Sequence, residues 1–319
     1  MKLARYIGAG RVEIVDEPAP SLPPGGLLVQ TEACGLCSGE LMSWYMDRKI
    51  PHVLGHEVAG RVIGSEDPRF PIGSRIFPHH HAPDPDSNLT RRGAAVHDPA
   101  WKKTKLIPGG MAERFAVPPE NLADTLLVDD LRPVDAALIE PLACVMKMIR
   151  RLHLRGDEEI AVIGLGVMGL MHALVLPNVR AYELNADRID WAKKQGVSAF
   201  HPDDARQAEV VIVCPGAKAA LDLALQIAAP DPRVGLFAPL PPGEPAALDL
   251  HDLYFRDLNL VCSYSCGPED TRAAADLLRA GKIRAEQVVS HFIELRELPQ
   301  RYKEMRDGEI LKPMVVFPV

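Results

Sequence analysis

The sequence predicts an α/β protein in two parts, a turn-rich β domain followed by an open parallel-sheet domain. Three observations predict it. Up to about residue 133 the apolar runs are short, β-branched and bounded by Gly or Pro, as in Gly26-Leu27-Leu28-Val29-Gln30 and Val58-Ala59-Gly60-Arg61-Val62-Ile63. Beyond Pro133, short apolar runs alternate with stretches of helical spacing, the pattern of a parallel sheet with crossover helices. At 319 residues the chain is long for one domain and comfortable for two.

Taken in order, the stretch from Pro78 to Gly110 is rich in Pro, Asp, Arg and Gly, has little periodicity, and reads as an excursion loop. Val134 to Leu152 has helical apolar spacing and ends in a basic turn. Ile160 to Ile163 is a strand that runs into a Gly-rich turn and a helix, which Pro177 cuts short. A strand follows at Val179 to Leu184 and a helix at Ala186 to Gln195. Glu209 to Cys214, Arg233 to Pro239 and Leu258 to Ser263 read as further buried strands, with a helix around Ala217 to Ala228. A helix from Pro268 to Ala280 closes this section, and the tail from about Val288 returns to strand, helix and strand.

Composition narrows the function. With 47% hydrophobic and 25% charged residues the chain can bury a full core. A net charge of −7 argues against nucleic acid as the main partner, since phosphate binding needs a basic surface. The start, Met1-Lys2-Leu3-Ala4-Arg5-Tyr6, lacks a secretory pattern, and the uncharged stretch Ile160 to Leu176 suits a strand, turn and helix better than a bilayer. A cytoplasmic setting is expected, with the six cysteines reduced; Cys144 and Cys214 read as buried core thiols.

Two motifs carry chemistry. Ile160-Ala161-Val162-Ile163 leads into Gly164-Leu165-Gly166-Val167-Met168-Gly169, glycines placed between a strand and a helix. Gly164 permits the tight turn, Gly166 admits a pyrophosphate to the backbone, and Gly169 lets helix and strand pack closely. The start of the helix at Val167 and Met168 attracts the anion. Glu183 stands 19 residues beyond Gly164, where an acid accepts hydrogen bonds from a ribose; its charge favours NAD over NADP. Arg188, close by, suits adenine or a 2′-phosphate.

The second motif begins at Cys34-Gly35-Leu36-Cys37, which has no second cysteine pair at zinc-ribbon spacing. Instead, His56 and Glu57 follow 19 residues after Cys37, and Glu140 stands just before the second part. A catalytic zinc wants about three N, S or O ligands and one open position, which this set supplies. The same residues also suit a buried thiol and a turn histidine without metal. His79-His80-His81 reads as a loop-edge run. Trp44 and Tyr45, just past the turn, suit a pocket wall or plain packing equally.

Cys37 with Ser38-Gly39-Glu40, Val53-Leu54-Gly55-His56-Glu57, Glu140-Pro141-Leu142 and the glycine turn occur in the order of the medium-chain zinc-dependent alcohol dehydrogenase superfamily. Glu-Pro-Leu resembles its sorbitol and threonine dehydrogenase branch. The resemblance covers nearly the whole chain, including Gly73-Ser74-Arg75-Ile76 and Pro108-Gly109-Gly110-Met111-Ala112-Glu113. It implies a GroES-like β domain (1–133 and 285–319) and an inserted Rossmann domain (134–284), a doubly wound parallel sheet. It implies zinc on Cys37 and His56, with Glu57 ligating or flanking the metal and Glu140 binding it directly or through water. Glu40 falls where the family holds the ligating histidine by a hydrogen bond.

Three departures stand out. The family's structural zinc cysteines align with Asp84, Ser87, Thr90 and Asp98, so only one, catalytic, zinc is expected. The family's proton-relaying Ser or Thr is Gly39; Ser38 would point elsewhere in an extended segment. The helix after Gly169 is trimmed. The resemblance implies an NAD-dependent alcohol or polyol dehydrogenase, a homodimer or homotetramer. A zinc-free quinone or enone reductase on the same fold and a non-catalytic NAD-binding sensor are the alternatives.

Overall fold

The computed structural model describes residues 1–318. Strands are numbered in chain order: β1 Lys2–Gly8, β2 Arg11–Asp16, β3 Leu27–Gly35, β4 His52–Val53, β5 Glu57–Ser65, β6 Arg75–Pro78, β7 Arg114–Val117 and β8 Thr125–Leu127. They continue as β9 Ile160–Ile163, β10 Val179–Tyr182, β11 Ala199–Phe200, β12 Ala208–Val213, β13 Ala228–Leu236, β14 Asn259–Cys262, β15 His291–Ile293 and β16 Pro313–Val316. The chain divides into two compact units, Met1–Ala143 with Cys266–Val319, and Cys144–Ser265.

The first unit is mostly antiparallel. One sheet runs β15-β16-β3-β5-β6-β8, with β7 also on β3, and a smaller one runs β2-β1-β4. The returning tail completes the larger sheet, because β16 pairs with β3 through Met314 opposite Gly35 and Val315 opposite Cys34. Leu27, Val29, Ala33, Val58, Ile76, Phe115 and Val315 are wholly buried. Burying each such large side chain is worth about 1.5–3 kcal/mol. Glu32 lies among them on β3 and is held by Arg75 (Nε to Oε2, 2.5 Å) and Arg61 (Nη2 to Oε1, 3.1 Å). Burial pushes its carboxyl up, but the two guanidinium groups outweigh that and hold it below the usual range.

The second unit is a parallel sheet ordered β11-β10-β9-β12-β13-β14. Counted from β9 this is 3-2-1-4-5-6, the doubly wound order whose reversal point lies beside β9. Strand β9 is buried at every position, as an all-apolar run flanked on both sides requires. Helices Val167–Val175, Ala186–Lys194 and Lys218–Ile227 make the crossovers. Glu158, just before β9, pairs with Arg233 of β13, which also donates to the carbonyls of Leu152 and His153. Although burial opposes it, donation from the Arg155 and Gly156 N–H groups and from Arg233 takes the Glu158 carboxyl down to about 2.

Four readings are corrected. The expected helix Val134 to Leu152 is two, Pro133–Ala136 and Ile139–Leu152, since Pro141 has no N–H to bridge the joint. The helix Pro268–Arg279 belongs to the first unit, where Thr271 Oγ1 donates to Asp124 Oδ1 at 2.6 Å. Strand β14 is largely exposed because it lies at the sheet's edge. Cys144 and Cys214 are half-buried; Cys214 stands at the open carboxyl end of β12. No helix of the described residues is long and apolar enough to cross a membrane.

His172, on the helix Val167–Val175, is wholly buried, with Nδ1 2.7 Å from the Met168 carbonyl. Burial takes its pKa down to about 4. The unfolded chain therefore binds a proton below about pH 6.5 that the folded chain refuses, and stability falls as pH drops from about 6.5 to 4. The full effect is about 3 kcal/mol. Urea unfolding across that window should show this loss in the wild type and a flatter curve in His172→Gln. Equal slopes in the two proteins would sink the assignment.

Candidate functional site

The register of β3 against β5 explains why residues 19 apart in sequence meet. Gly35 lies opposite Glu57 and Cys34 opposite Val58, so the turn after β3 and the turn before β5 share one end of the sheet. Cys37 follows β3, and its Sγ accepts the Gly39 N–H at 3.3 Å. His56 and Glu57 follow Gly55, whose φ of +96° and closeness to Cys34 Sγ, 2.7 Å from where a Cβ would stand, exclude any side chain. The ligand atoms of Cys37, His56 and Glu57 lie within 4.8 Å of one another.

Glu40 organises this group. Its Oε1 accepts the Gly55 N–H at 2.8 Å and lies 3.3 Å from His56 Nδ1, while Oε2 accepts the Cys37 N–H at 3.4 Å. A carboxylate on Nδ1 leaves Nε2 of His56 as the nitrogen that could ligate a metal. Burial works against the charge of both partners, but the pair outweighs it: Glu40 is held below the usual carboxyl range, and His56, between Cys37 and Glu40, well above the usual imidazole value. Burial pushes the Cys37 thiol up, with His56 pulling against it. A set of sulfur, imidazole nitrogen and carboxylate oxygen around one point suits a zinc-class ion.

Glu57 is fixed from behind. Its Oε2 is paired with Lys312 Nζ, which also donates to the Leu36 carbonyl at 2.9 Å, and both side chains are about 1% exposed. Sequence reading missed Lys312. It lies 255 residues from Glu57, and only the β16–β3 pairing carries it there.

Glu140 stands in the first turn of its helix with other company. Its carboxylate is grouped with His79 and Cys266, all three buried and with ligand atoms within 4.8 Å. Burial raises its pKa, with His56 opposing and Glu57 adding to the rise, so it feels both groups. The loop-edge reading of His79 is corrected, since the ring is wholly buried. Its Nδ1 is 2.7 Å from Asp124 Oδ2 and its Nε2 is 3.5 Å from Cys266 Sγ. Cys266 was not read from the sequence either; 187 residues separate it from His79 and no local motif links them.

His80 has its ring centroid 4.7 Å from that of His56, and His81 packs 4.0 Å from Trp101. Burial lowers both, His81 to about 4. Ser38 opens a short 3-10 turn through Leu41, not the extended segment expected, because Cys37 Sγ and Glu40 cap it. Trp44 stands edge-on to Tyr45, which lies under Lys49 Nζ at 3.8 Å. In the excursion loop Asp98 Oδ1 accepts the N–H groups of Asp84 and Ala100, and Ser87 Oγ accepts that of Thr90.

In the second unit the glycine turn has the geometry a dinucleotide needs. Gly164 has φ +86°, and a Cβ there would meet Pro215 Cδ at 2.7 Å. Gly169 packs on the Gly164 carbonyl, while beside Gly166 a Cβ would meet nothing within 4 Å, leaving space for an incoming group. The helix that starts at Val167 and Met168 has no side-chain cap, so its first N–H groups face outward for a phosphate. Glu183 directly follows β10, accepting the Leu165 N–H at 2.7 Å and those of Leu184 and Asn185 at 2.8 and 3.0 Å. Arg188 Nη1 is 3.9 Å from its Oε2. Of about four acceptor positions on the carboxylate, roughly one is left for a ribose hydroxyl.

The buried Glu57–Lys312 pair gives a direct check on this site. Lys312→Met leaves the carboxylate without its cation, and urea unfolding should show a loss of about 3–5 kcal/mol. Lys312→Met with Glu57→Gln should recover most of it. A single variant as stable as the wild type would show that the pair does not hold the site.

Residues 23–126 match the family described as alcohol dehydrogenase GroES-like domain. An uncharacterized zinc-type alcohol dehydrogenase-like protein of Haemophilus influenzae is 26% identical, over 93% of this chain and 92% of that one. D-xylulose reductase A of Aspergillus oryzae is 22% identical, over 97% of this chain and 94% of its own. The solved alcohol dehydrogenase of a Thermus species, 23% identical, superposes over 100% of both chains with a TM-score of 0.87, a likeness of fold. Residues 23–126 thus match an alcohol dehydrogenase GroES-like domain, and nearly the whole chain is similar to a zinc-type alcohol dehydrogenase-like protein and to a D-xylulose reductase.

Proposed function

We propose that the protein is an NAD-dependent dehydrogenase that moves hydride between the secondary hydroxyl of an alcohol or polyol and the nicotinamide. The observation that carries the reading is the grouping of Cys37, His56 and Glu57, with His56 oriented by the buried Glu40. Cys37, His56 and one or both of Glu57 and Glu140 hold one catalytic zinc; the excursion loop holds none. When bound, such an ion supplies Lewis acidity that lowers the pKa of a substrate hydroxyl.

The chain's own residues do the rest. Glu40 keeps the His56 ring in one tautomer, and Lys312 holds the Glu57 carboxylate in place. The turn Gly164 to Gly169 and the helix behind it receive the pyrophosphate, and Glu183 takes the ribose. Its charge disfavours a 2′-phosphate, which makes NAD the cofactor, with Arg188 over the adenine side. Copies of the chain associate as a homodimer or homotetramer. The edge strand β14 offers unpaired backbone groups beside Leu250, Tyr254 and Phe255, each more than 70% exposed.

The test is NAD reduction followed over polyols, threonine and simple secondary alcohols, with and without a chelator. Turnover should be lost on chelation and return with zinc, and Glu40→Gln should lower activity or metal affinity by about 10- to 100-fold. Full activity in metal-free protein would overturn the metal's role, and tight NADH binding without turnover on any alcohol would overturn the enzyme. Glu183→Ser should shift the NADP-to-NAD preference by about tenfold or more, equivalent to about 1.4 kcal/mol. An unchanged ratio would remove Glu183 from cofactor choice.

A further inference from the structure

We propose, building on the dehydrogenase function above, that His80 selects the substrate. Its ring hydrogen-bonds a second hydroxyl beside the reacting one, so the protein prefers vicinal polyols to simple secondary alcohols.

Three histidines follow one another at the end of β6, and two of them are tied down. His79 has Asp124 Oδ2 2.7 Å from its Nδ1, and the Asn121 side chain donates to its carbonyl at 2.9 Å. His81 has Nδ1 2.8 Å from the Thr104 carbonyl, and the next N–H, of Ala82, donates to Thr104 Oγ1 at 2.8 Å. His80 stands between these anchors. Its Nδ1 is sealed from solvent with no hydrogen-bond partner among the described residues. The ring as a whole is half-buried, which leaves Nε2 as the nitrogen an incoming molecule can meet.

Other rings hold His80 in place. Centroid distances are 4.2 Å to His81, 4.7 Å to His56, 5.0 Å to His79 and 6.4 Å to Trp101. A ring packed in this way has little rotamer freedom to lose when it binds a ligand. Packing does not account for the imidazole, because an apolar ring would fill the place without leaving a buried nitrogen unpaired.

The neighbouring ring decides what His80 meets. His56 belongs to the candidate metal group, where the proposed reaction brings the substrate hydroxyl. With the two ring centroids 4.7 Å apart, His80 borders the carbon next to the reacting one. A hydroxyl there suits Nε2 in either tautomer, since it donates to a bare nitrogen and accepts from an N–H. A carboxylate or an ammonium group suits one form alone.

A matched pair of alcohols tests the role of His80. With zinc-loaded protein and NAD, the kcat/KM ratio of propane-1,2-diol to propan-2-ol should exceed one in the wild type. In His80→Phe that ratio should fall about tenfold, with the loss in KM. His80→Gln, which keeps a donor and an acceptor, should recover part of the ratio. His80→Ala carries the same expectation as His80→Phe where a phenyl ring disturbs the stack. Equal losses on the two alcohols would show a packing role and overturn the proposal. Binding of propane-1,2-diol to the zinc-loaded NADH complex, followed by NMR, should weaken about tenfold in His80→Phe, and unchanged binding would overturn it as well. Absence of turnover on every alcohol would overturn the dehydrogenase function, while the binding measurement still decides whether His80 holds the diol.

Discussion

The pairing of β3 with β5 sets the register in which Gly35 faces Glu57, and the side chains of the candidate metal site inherit their positions from it. A strand places alternate residues on opposite faces, so a slip by one position would turn Glu57 away from Lys312. It would also carry Gly55 off the backbone of Met111, which leaves no room there for a side chain. The register is defended on both sides of β3, by β5 on one edge and by β16 and β7 on the other. Glu40 then ties the two turns together from within, accepting N–H groups from Cys37 and from Gly55.

The buried charges follow one plan. Glu57 has Lys312, Glu32 has Arg61 and Arg75, and Glu158 has Arg233. Each acid is met by a cation brought from far along the chain. Glu40 and Asp124 differ, since each faces a histidine ring instead of a fixed cation. An imidazole can pass its second nitrogen to a metal, which Lys and Arg cannot. The acids paired with Lys or Arg brace the fold, and those paired with histidine orient a ring.

Much of this was legible in the sequence, and the limits were physical. Strand β9 and the glycines after it are local signals, complete within ten residues, and the structure keeps their bounds. Cys37, His56 and Glu40 were legible because a turn motif and a family order point to them. Lys312 and Cys266 were not, because their partners lie 255 and 187 residues away and only tertiary pairing joins them. His79 was misread for a related reason. A histidine run in a polar loop looks exposed until Asp124, Asn121 and Trp101 are folded over it. Strand β14 looked buried from its apolar residues, and only the strand order shows that it has a neighbour on one side alone.

The return of β16 to β3 has a consequence for how the chain is made. Residues near 315 complete a sheet begun near residue 30, so the first domain stays open along one edge while the ribosome is still at work. The inserted parallel sheet, contained within residues 144–265, leaves the exit tunnel whole before that edge can close. Until then Glu57 has no Lys312, and the turn that carries Cys37 has no finished wall. Synthesis order therefore leaves the turns that carry Cys37 and Glu57 without the support of β16 and Lys312 until residues 312–316 emerge.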